Sequence, residues 1–142
     1  MLITGRCHCG NLAFELDWAP DPHEIHARTC TCSFCRSHGA TWTSHPRARL
    51  RVAVRDSARV NIYRFGSGTA DFHVCTDCGV VPLVSCVLDD TRYAVVNVNV
   101  FDDAARALVR PAPASFESEE LTGRLERRKR TWIRDVEYTT PT

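Results

Sequence analysis

Apolar and polar residues alternate with a period of two over short stretches in the first hundred positions. The stretch NLAFELDW alternates from Leu12 to Trp18, and ARLRVAVR alternates from Leu50 to Val54. A third stretch of this kind, VNIYRFG, follows the turn-like DSAR. This period predicts β-strands that bury one face and expose the other.

Two further stretches are apolar almost throughout and have the length of single strands. GVVPLVSCVL and YAVVNVNVF are rich in β-branched residues, which favour strands. Asp89 and Asp90 lie between these stretches, and aspartate is common in tight turns. We therefore expect two consecutive strands joined by a turn.

The pattern changes after Phe101. DDAARALV is compatible with one or two helical turns, and RPAPAS is interpreted as a proline-rich break. SEELTGRLERRKR begins with acidic residues and ends with basic ones, which suits the helix dipole and predicts a short surface helix over 119–130. We expect its basic end, RLERRKR, to be a solvated last turn rather than a nucleic-acid contact. TWIRDVEY predicts a final edge strand, so the fold class is mainly β with a minor C-terminal helix.

Length and charge restrict the class of protein. A chain of 142 residues suits one domain, and 18 Lys and Arg against 17 Asp and Glu give no general attraction to nucleic acid or membrane. The opening MLITGRCHCG lacks the pattern of a secretory signal, and no apolar run approaches the roughly 18–20 residues of a membrane span. We expect a cytoplasmic protein with reduced thiols.

The chain has eight cysteines, and most of them are clustered. Cys7 and Cys9 precede a glycine, and Cys75 and Cys78 precede another. Such pairs form tight turns that direct both sulfurs at one ion, and glycine tolerates the positive φ that these turns often need. Two pairs supply the four thiolates of a closed structural zinc site, which is a better explanation than disulfides in a reducing compartment.

A second group, CTCSFC, offers only Cys30, Cys32 and Cys35. Three protein ligands and one vacant position are typical of a catalytic zinc site, where water or substrate completes the tetrahedron. Zinc on three thiolates is a mild Lewis acid that suits a soft donor. We therefore predict a second, catalytic zinc and a small thiol-containing substrate.

Two alternatives remain for CTCSFC. The site is purely structural if a fourth side chain closes it, and the candidates for that ligand are Cys86, Asp89, His26, His38 and His73. Cys32 and Cys35 also form a Cys-x-x-Cys redox motif, although the sequence does not indicate a thioredoxin-type helix after a βαβ strand. Without a role at the site, Cys86 is expected to be a buried core thiol.

GRCHCGNLAFEL, CTCSFCRSHGA, FHVCTDCGV and VNVNVFDD, in this order, resemble the glutathione-dependent formaldehyde-activating enzyme family, which includes the centromere protein V type. The resemblance implies a β-tent fold, in which several small antiparallel sheets meet around zinc. It implies structural zinc at Cys7, Cys9, Cys75 and Cys78, and catalytic zinc at Cys30, Cys32 and Cys35. The implied activity joins formaldehyde to glutathione and is classed as a carbon–sulfur lyase activity.

The resemblance extends over roughly residues 3–103 and suggests a division of the chain. We expect a zinc-binding β domain over 1–104 and a C-terminal extension over 105–142 that packs on it. This extension differs from the usual C-terminus of the family, so the substrate should differ if the extension lines the cleft. We expect Arg36 to lie beside the catalytic zinc and bind a substrate carboxylate, with a surface ion pair as the alternative. A zinc-stabilised binding module or thiol carrier without turnover is the rival function.

Overall fold

The computed structural model describes residues 1–19 and 21–140. Strands dominate this part of the chain, which confirms the predicted fold class. The elements in chain order are β1 (Leu2–Arg6), β2 (Leu12–Asp17), β3 (Ile25–Cys30), α1 (Ser33–His38), β4 (Thr41–Thr43), β5 (Arg49–Val54), β6 (Val60–Tyr63), β7 (Asp71–Cys75), β8 (Leu83–Leu88), β9 (Thr91–Asn97), α2 (Asp103–Arg106), β10 (Val109–Ala114), α3 (Leu121–Thr131) and β11 (Asp135–Thr139).

The strands form two sheets. One has four strands in the order β1-β2-β5-β11, and the other has seven in the order β10-β3-β4-β9-β8-β7-β6. The expectation of several small antiparallel sheets needs one refinement, because β11 pairs with β5 and β10 pairs with β3 in parallel. Both parallel strands come from the C-terminal part of the chain and lie at sheet edges. This part of the chain therefore extends both sheets.

The alternating stretches form the strands that their period predicts. In β2 the apolar residues at even positions are buried, and β5 alternates between exposed and buried residues along its length. The two strands pair antiparallel with Phe14 opposite Val52 and Leu16 opposite Leu50. Their inward side chains pack in one core cluster with Leu83, a residue of the second sheet.

The two β-branched stretches form β8 and β9, which pair antiparallel in the interior of the large sheet. The connecting residues Asp89 and Asp90 both have positive φ, as a tight turn requires. One detail of the prediction was wrong, because β9 ends at Asn97 and Val98–Val100 form a 3₁₀ turn. The Asn97 side chain accepts the Asn99 N–H at 3.1 Å and thereby offers the backbone an alternative to the strand.

The predicted C-terminal helix is confirmed as α3, and DDAARALV contains the single turn of α2. No helix in ranges 1–19 and 21–140 is long and apolar enough to cross a membrane. The proline-rich break, however, is the edge strand β10. Ile25 N–H donates to Leu108 O and Thr31 N–H to Ala114 O, so the ladder uses the even-numbered residues of β10. Pro111 and Pro113 therefore occupy positions whose N–H would face away from β3, where proline is tolerated.

Besides β10, four strands were not identified from the sequence: β1, β3, β4 and β7. Three of them lead to the cysteine clusters, because β1 ends just before Cys7, β3 ends at Cys30 and β7 ends at Cys75. A period-two signal was present in β3, where Ile25 and Ala27 are buried and His26 is exposed. β4 has only three residues, which is too short for such a pattern.

Candidate metal centres

The four-cysteine cluster joins the end of β1 to the end of β7. Cys7 Sγ lies 3.8 Å from Cys9 Sγ, and Cys9 Sγ lies 3.5 Å from Cys75 Sγ. All four sulfurs, including that of Cys78, lie within 4.8 Å of one another. The turns that bring them together are closed by Gly10 N–H on Cys7 O at 3.0 Å and by Gly79 N–H on Cys75 O at 2.7 Å.

The glycines in this cluster have the backbone conformation that was predicted. Gly10 has φ +85° and Gly79 has φ +77°, values that L side chains rarely adopt. Zn–S bonds of about 2.3 Å in a tetrahedron place sulfurs about 3.8 Å apart, close to the spacing observed here. Because burial raises the pKa values of Cys7 and Cys75, the thiolates need a cation beside them. The donor set therefore fits zinc.

The three-cysteine cluster lies at the junction of β3 and α1. Cys30 ends β3, Cys32 is the N-cap of α1, and Cys35 is buried within α1. The Cys32 sulfur accepts the Cys35 N–H at 3.4 Å. The Cys-x-x-Cys motif therefore does lie at the start of a helix, but β3 continues through α1 into the antiparallel strand β4 rather than into a βαβ unit.

Trp42 is a residue of this site that sequence reasoning missed. Its Nε1–H donates to Cys35 Sγ at 3.3 Å, and its ring is buried. A hydrogen bond with Cys35 lowers the pKa of Cys30 to about 5, and the same bond raises the pKa of Cys35. The cluster thus resists carrying three negative charges without a cation, and a divalent ion would relieve that repulsion.

No fourth ligand atom from His, Cys, Asp or Glu joins the three sulfurs within 4.8 Å in residues 1–19 and 21–140. None of the five suggested closing residues belongs to this group, and three of them make other contacts. His73 is buried against Ser85, with 2.8 Å between Nε2 and Oγ, and Asp89 pairs with Lys129. Cys86 is a buried thiol, as expected of a core residue, and accepts from Arg128. The cluster thus offers three protein ligands.

A cavity of about 280 Å³ opens at the three-cysteine cluster. Much of its wall is aromatic, and the rings of Trp42, Phe65, Phe72, Phe116 and Trp132 line it. All three cysteines of the cluster also line this space, whereas none of the four cysteines of the other cluster does. The two candidate metal centres therefore differ in access as well as in ligand number.

The C-terminal part of the chain supplies arginines to this cavity. Arg124, Arg127 and Arg128 line it, together with Arg28 from β3. The expectation of a solvated last turn was therefore wrong for these residues, and Arg128 is buried at 6% exposure. Arg36 lies on α1 and is exposed, outside the residues that line the cavity. Its predicted contact with a substrate carboxylate stays a prediction.

A family model described as glutathione-dependent formaldehyde-activating enzyme matches residues 2–119. The chain belongs to this family. It is also similar to a Rhodobacter sphaeroides protein of known crystal structure, with 30% sequence identity and a TM-score of 0.55. That similarity covers 77% of this chain and 99% of the Rhodobacter chain. The predicted family membership is thereby confirmed.

Membership in the formaldehyde-activating enzyme family associates the chain with an enzyme activity and with glutathione. The two cysteine clusters are compatible with metal binding, and with zinc in particular. The family match ends at residue 119, just before α3 begins at Leu121. Three of the four arginines of the cavity therefore lie beyond the matched region.

Proposed function

We propose that this protein is a zinc-dependent enzyme of the carbon–sulfur lyase type that acts on a small thiol or a thiol–aldehyde adduct, such as glutathione with formaldehyde. Cys30, Cys32 and Cys35 would hold a catalytic zinc, and the four-cysteine cluster would hold a structural one. A single observation supports this proposal above all. The cluster with three ligands is the one that opens into a cavity.

Bound zinc would supply a soft Lewis acid that favours the thiolate form of a substrate thiol. The protein's own residues provide the setting for that chemistry. Trp42 donates a hydrogen bond to Cys35 and orients its sulfur. The aromatic walls exclude water from the reacting thiol and carbonyl, and the arginines that line the cavity suit an anionic substrate. A reducing compartment such as the cytosol, which we propose as the location, would keep the ligands available.

The rival function is a zinc-stabilised binding module or thiol carrier without turnover. The same cavity supports it, because arginine and aromatic side chains also suit simple ligand binding. The two functions are separated by turnover, since a carrier binds the thiol but leaves the rate of adduct formation unchanged.

The test begins with zinc per chain, measured by elemental analysis for the wild type, Cys32→Ser and Cys86→Ser. We expect two ions in the wild type, one in Cys32→Ser with the fold retained, and two in Cys86→Ser. Cys86 is the matched control because its buried thiol belongs to neither cluster. Formation of S-hydroxymethyl adducts from formaldehyde and glutathione is then followed by NMR for the same three proteins.

We expect adduct formation to be faster than the spontaneous reaction with the wild type and with Cys86→Ser, and to fall to the spontaneous rate with Cys32→Ser. A wild type with one zinc would mean that the three-cysteine site is vacant, and a Cys32→Ser protein that unfolds would mean that it is structural. Two zinc ions with thiol binding but no acceleration would favour the carrier.

A further inference from the structure

Four arginines line the cavity at the three-cysteine cluster, whereas Glu117 is the one carboxylate that lines it in the described chain. Glu119 accepts both Arg127 Nε at 2.9 Å and Arg127 Nη2 at 3.1 Å, and Arg124 pairs with the same carboxylate. Within residues 1–19 and 21–140, no carboxylate lies within ion-pair distance of Arg28 or Arg128. Two guanidinium groups in the wall therefore have no carboxylate partner in the described chain.

Of these two arginines, Arg28 makes fewer hydrogen bonds. Its one hydrogen bond within the described chain is to Ser44 Oγ at 3.4 Å, whereas Arg128 donates to Thr69 and Cys86. Arg28 is half-buried and lines the same cavity as Arg127. A desolvated guanidinium beside another cation is unfavourable until an anion joins it. This part of the wall thus lacks an acceptor.

The position of Arg28 relative to the metal cluster is set by β3. Arg28 and Cys30 are two residues apart on one strand, so their side chains leave the same face about 6–7 Å apart. Both residues line the cavity. One ligand can therefore reach the sulfur cluster with one end and Arg28 with the other.

The cavity that contains these two residues has a largely aromatic wall. Trp42, Phe72 and Trp132 line it, and Trp132 Nε1 is buried with no acceptor in the described chain. The cavity volume of about 280 Å³ lies just below the usual range for ligand cavities, about 300–1,000 Å³. A compact, flat ligand fits these walls better than a long polar peptide does.

We propose that the substrate is a small aromatic or similarly apolar thiol that carries a carboxylate, and that Arg28 binds this carboxylate while the thiol faces Cys30, Cys32 and Cys35. This assignment of substrate class rests on the proposed function at the same site. Binding of the carboxylate to Arg28 does not itself require the metal. The proposed enzyme function and the carboxylate site at Arg28 can therefore be tested separately.

The test is calorimetric titration of the zinc-loaded full-length protein. The probes are 4-methylbenzoate, its neutral isostere 4-methylbenzamide, and 4-(sulfanylmethyl)benzoate, which adds the thiol. The proteins are the wild type, Arg28→Gln, Arg28→Lys, Arg36→Gln and Arg106→Gln. Arg106 is a matched control because it is an exposed arginine on α2, outside the cavity.

We expect the wild type to bind the benzoate about tenfold or more tightly than the benzamide, as a charge-assisted hydrogen bond allows. Arg28→Gln should abolish that preference, Arg28→Lys should retain part of it, and Arg106→Gln should leave it unchanged. The thiol should add at least a further tenfold in the wild type.

If the wild type binds 4-methylbenzoate and 4-methylbenzamide equally, the proposal is wrong. This outcome requires no variant, so it holds even if Arg28→Gln does not fold. A preference that survives in Arg28→Gln but is lost in Arg36→Gln would move the carboxylate to Arg36 and overturn the assignment. If glutathione binds more tightly than 4-(sulfanylmethyl)benzoate, the proposal of an apolar substrate is wrong. If the carboxylate preference holds but the thiol adds nothing, the proposed function fails and the Arg28 site stands.

Discussion

At the scale of single residues, Trp42 contributes to both the core and the candidate catalytic site. Its ring packs edge-on to Phe72, with 6.1 Å between the centroids, while its Nε1–H donates to Cys35 Sγ. Trp132 lines the same cavity, but its Nε1 is buried without an acceptor in the described chain. The two tryptophans therefore form a natural pair for comparison.

Trp42→Phe should weaken zinc binding at the three-cysteine cluster by about tenfold or more, because a donor that stabilises a ligating thiolate is lost. Trp132→Phe also replaces a buried indole but removes no hydrogen bond among the described residues, and should leave the zinc affinity unchanged. Competition with a chromophoric chelator measures both affinities. Equal affinities in the two variants would argue against a role for the Trp42 hydrogen bond.

A second prediction concerns Asp102, which joins α2 to β1. Its carboxylate accepts the N–H groups of Ala105 and Thr4, each at 2.9 Å. Asp102→Ala should cost about 1 kcal/mol of unfolding free energy, as is typical for the loss of an N-cap. Asp103→Ala is the control, since this neighbouring aspartate makes no side-chain hydrogen bond in the described chain. Urea unfolding at pH 7 compares the two variants.

The contribution of Asp102 to the free energy of unfolding should also depend on pH. Hydrogen bonds from Ala105 and Thr4 lower the pKa of Asp102 in the folded protein. Because the folded pKa lies below the unfolded value of about 3.9, the contribution is complete above that value and is lost as the pH falls toward the folded pKa. The difference between wild type and Asp102→Ala should therefore shrink below about pH 4. If the difference in unfolding free energy between the two proteins stays constant down to pH 2, the ionised Asp102 carboxylate does not account for it.

At the scale of secondary-structure elements, β10 is the strand that protects the open edge of β3. The two prolines of β10 occupy positions 111 and 113, where an N–H would face away from β3, and the even-numbered residues of β10 complete the ladder. Because β3 carries both Arg28 and Cys30, the pairing holds a part of the candidate site in place.

Ala112→Pro should destabilise the protein by about 1–3 kcal/mol, because it removes an N–H that faces β3 and places a ring against the ladder. Pro113→Ala should change the stability by less than about 0.5 kcal/mol, since the N–H that it adds faces away from β3. Urea denaturation followed by tryptophan fluorescence measures both changes. If Ala112→Pro is as stable as Pro113→Ala, the parallel register of β10 is wrong.

At the scale of the whole molecule, the two cysteine clusters differ in how far apart in the sequence their ligands lie. The four-cysteine cluster joins the end of β1 to the end of β7, whereas Cys30, Cys32 and Cys35 lie within one local turn. An ion that closes a long loop restricts the unfolded chain more than an ion bound to one short segment does. The division of the chain at residue 104 stays a prediction.

We therefore expect Cys9→Ser to lower the melting temperature far more than Cys32→Ser. Chelation of zinc from the wild type should act in two stages, in which the first ion leaves without unfolding and the second leaves with it. Differential scanning calorimetry with parallel zinc analysis measures this order. Equal destabilisation by the two substitutions would mean that both ions are structural.

The sequence by itself determined the features that depend on neighbouring residues. The short spacings in CHCG and CTDCG predict the paired sulfurs and positive-φ glycines that the structure has, because a tight turn is a local property. The alternation in β2 and β5 predicts their buried faces, because strand geometry repeats every two residues. Both signals are complete within a few positions of the chain.

Tertiary structure alone decided what surrounds the three-cysteine cluster. Trp42 reaches Cys35 through the pairing of β3 with β4, and Arg28 and Arg128 line one cavity from opposite ends of the chain. The basic pattern of RLERRKR predicted solvated side chains, because helical charge periodicity does not reveal which face a distant sheet covers. Contacts between remote segments depend on how the two sheets and α3 pack, and short-range pattern carries no information about that packing.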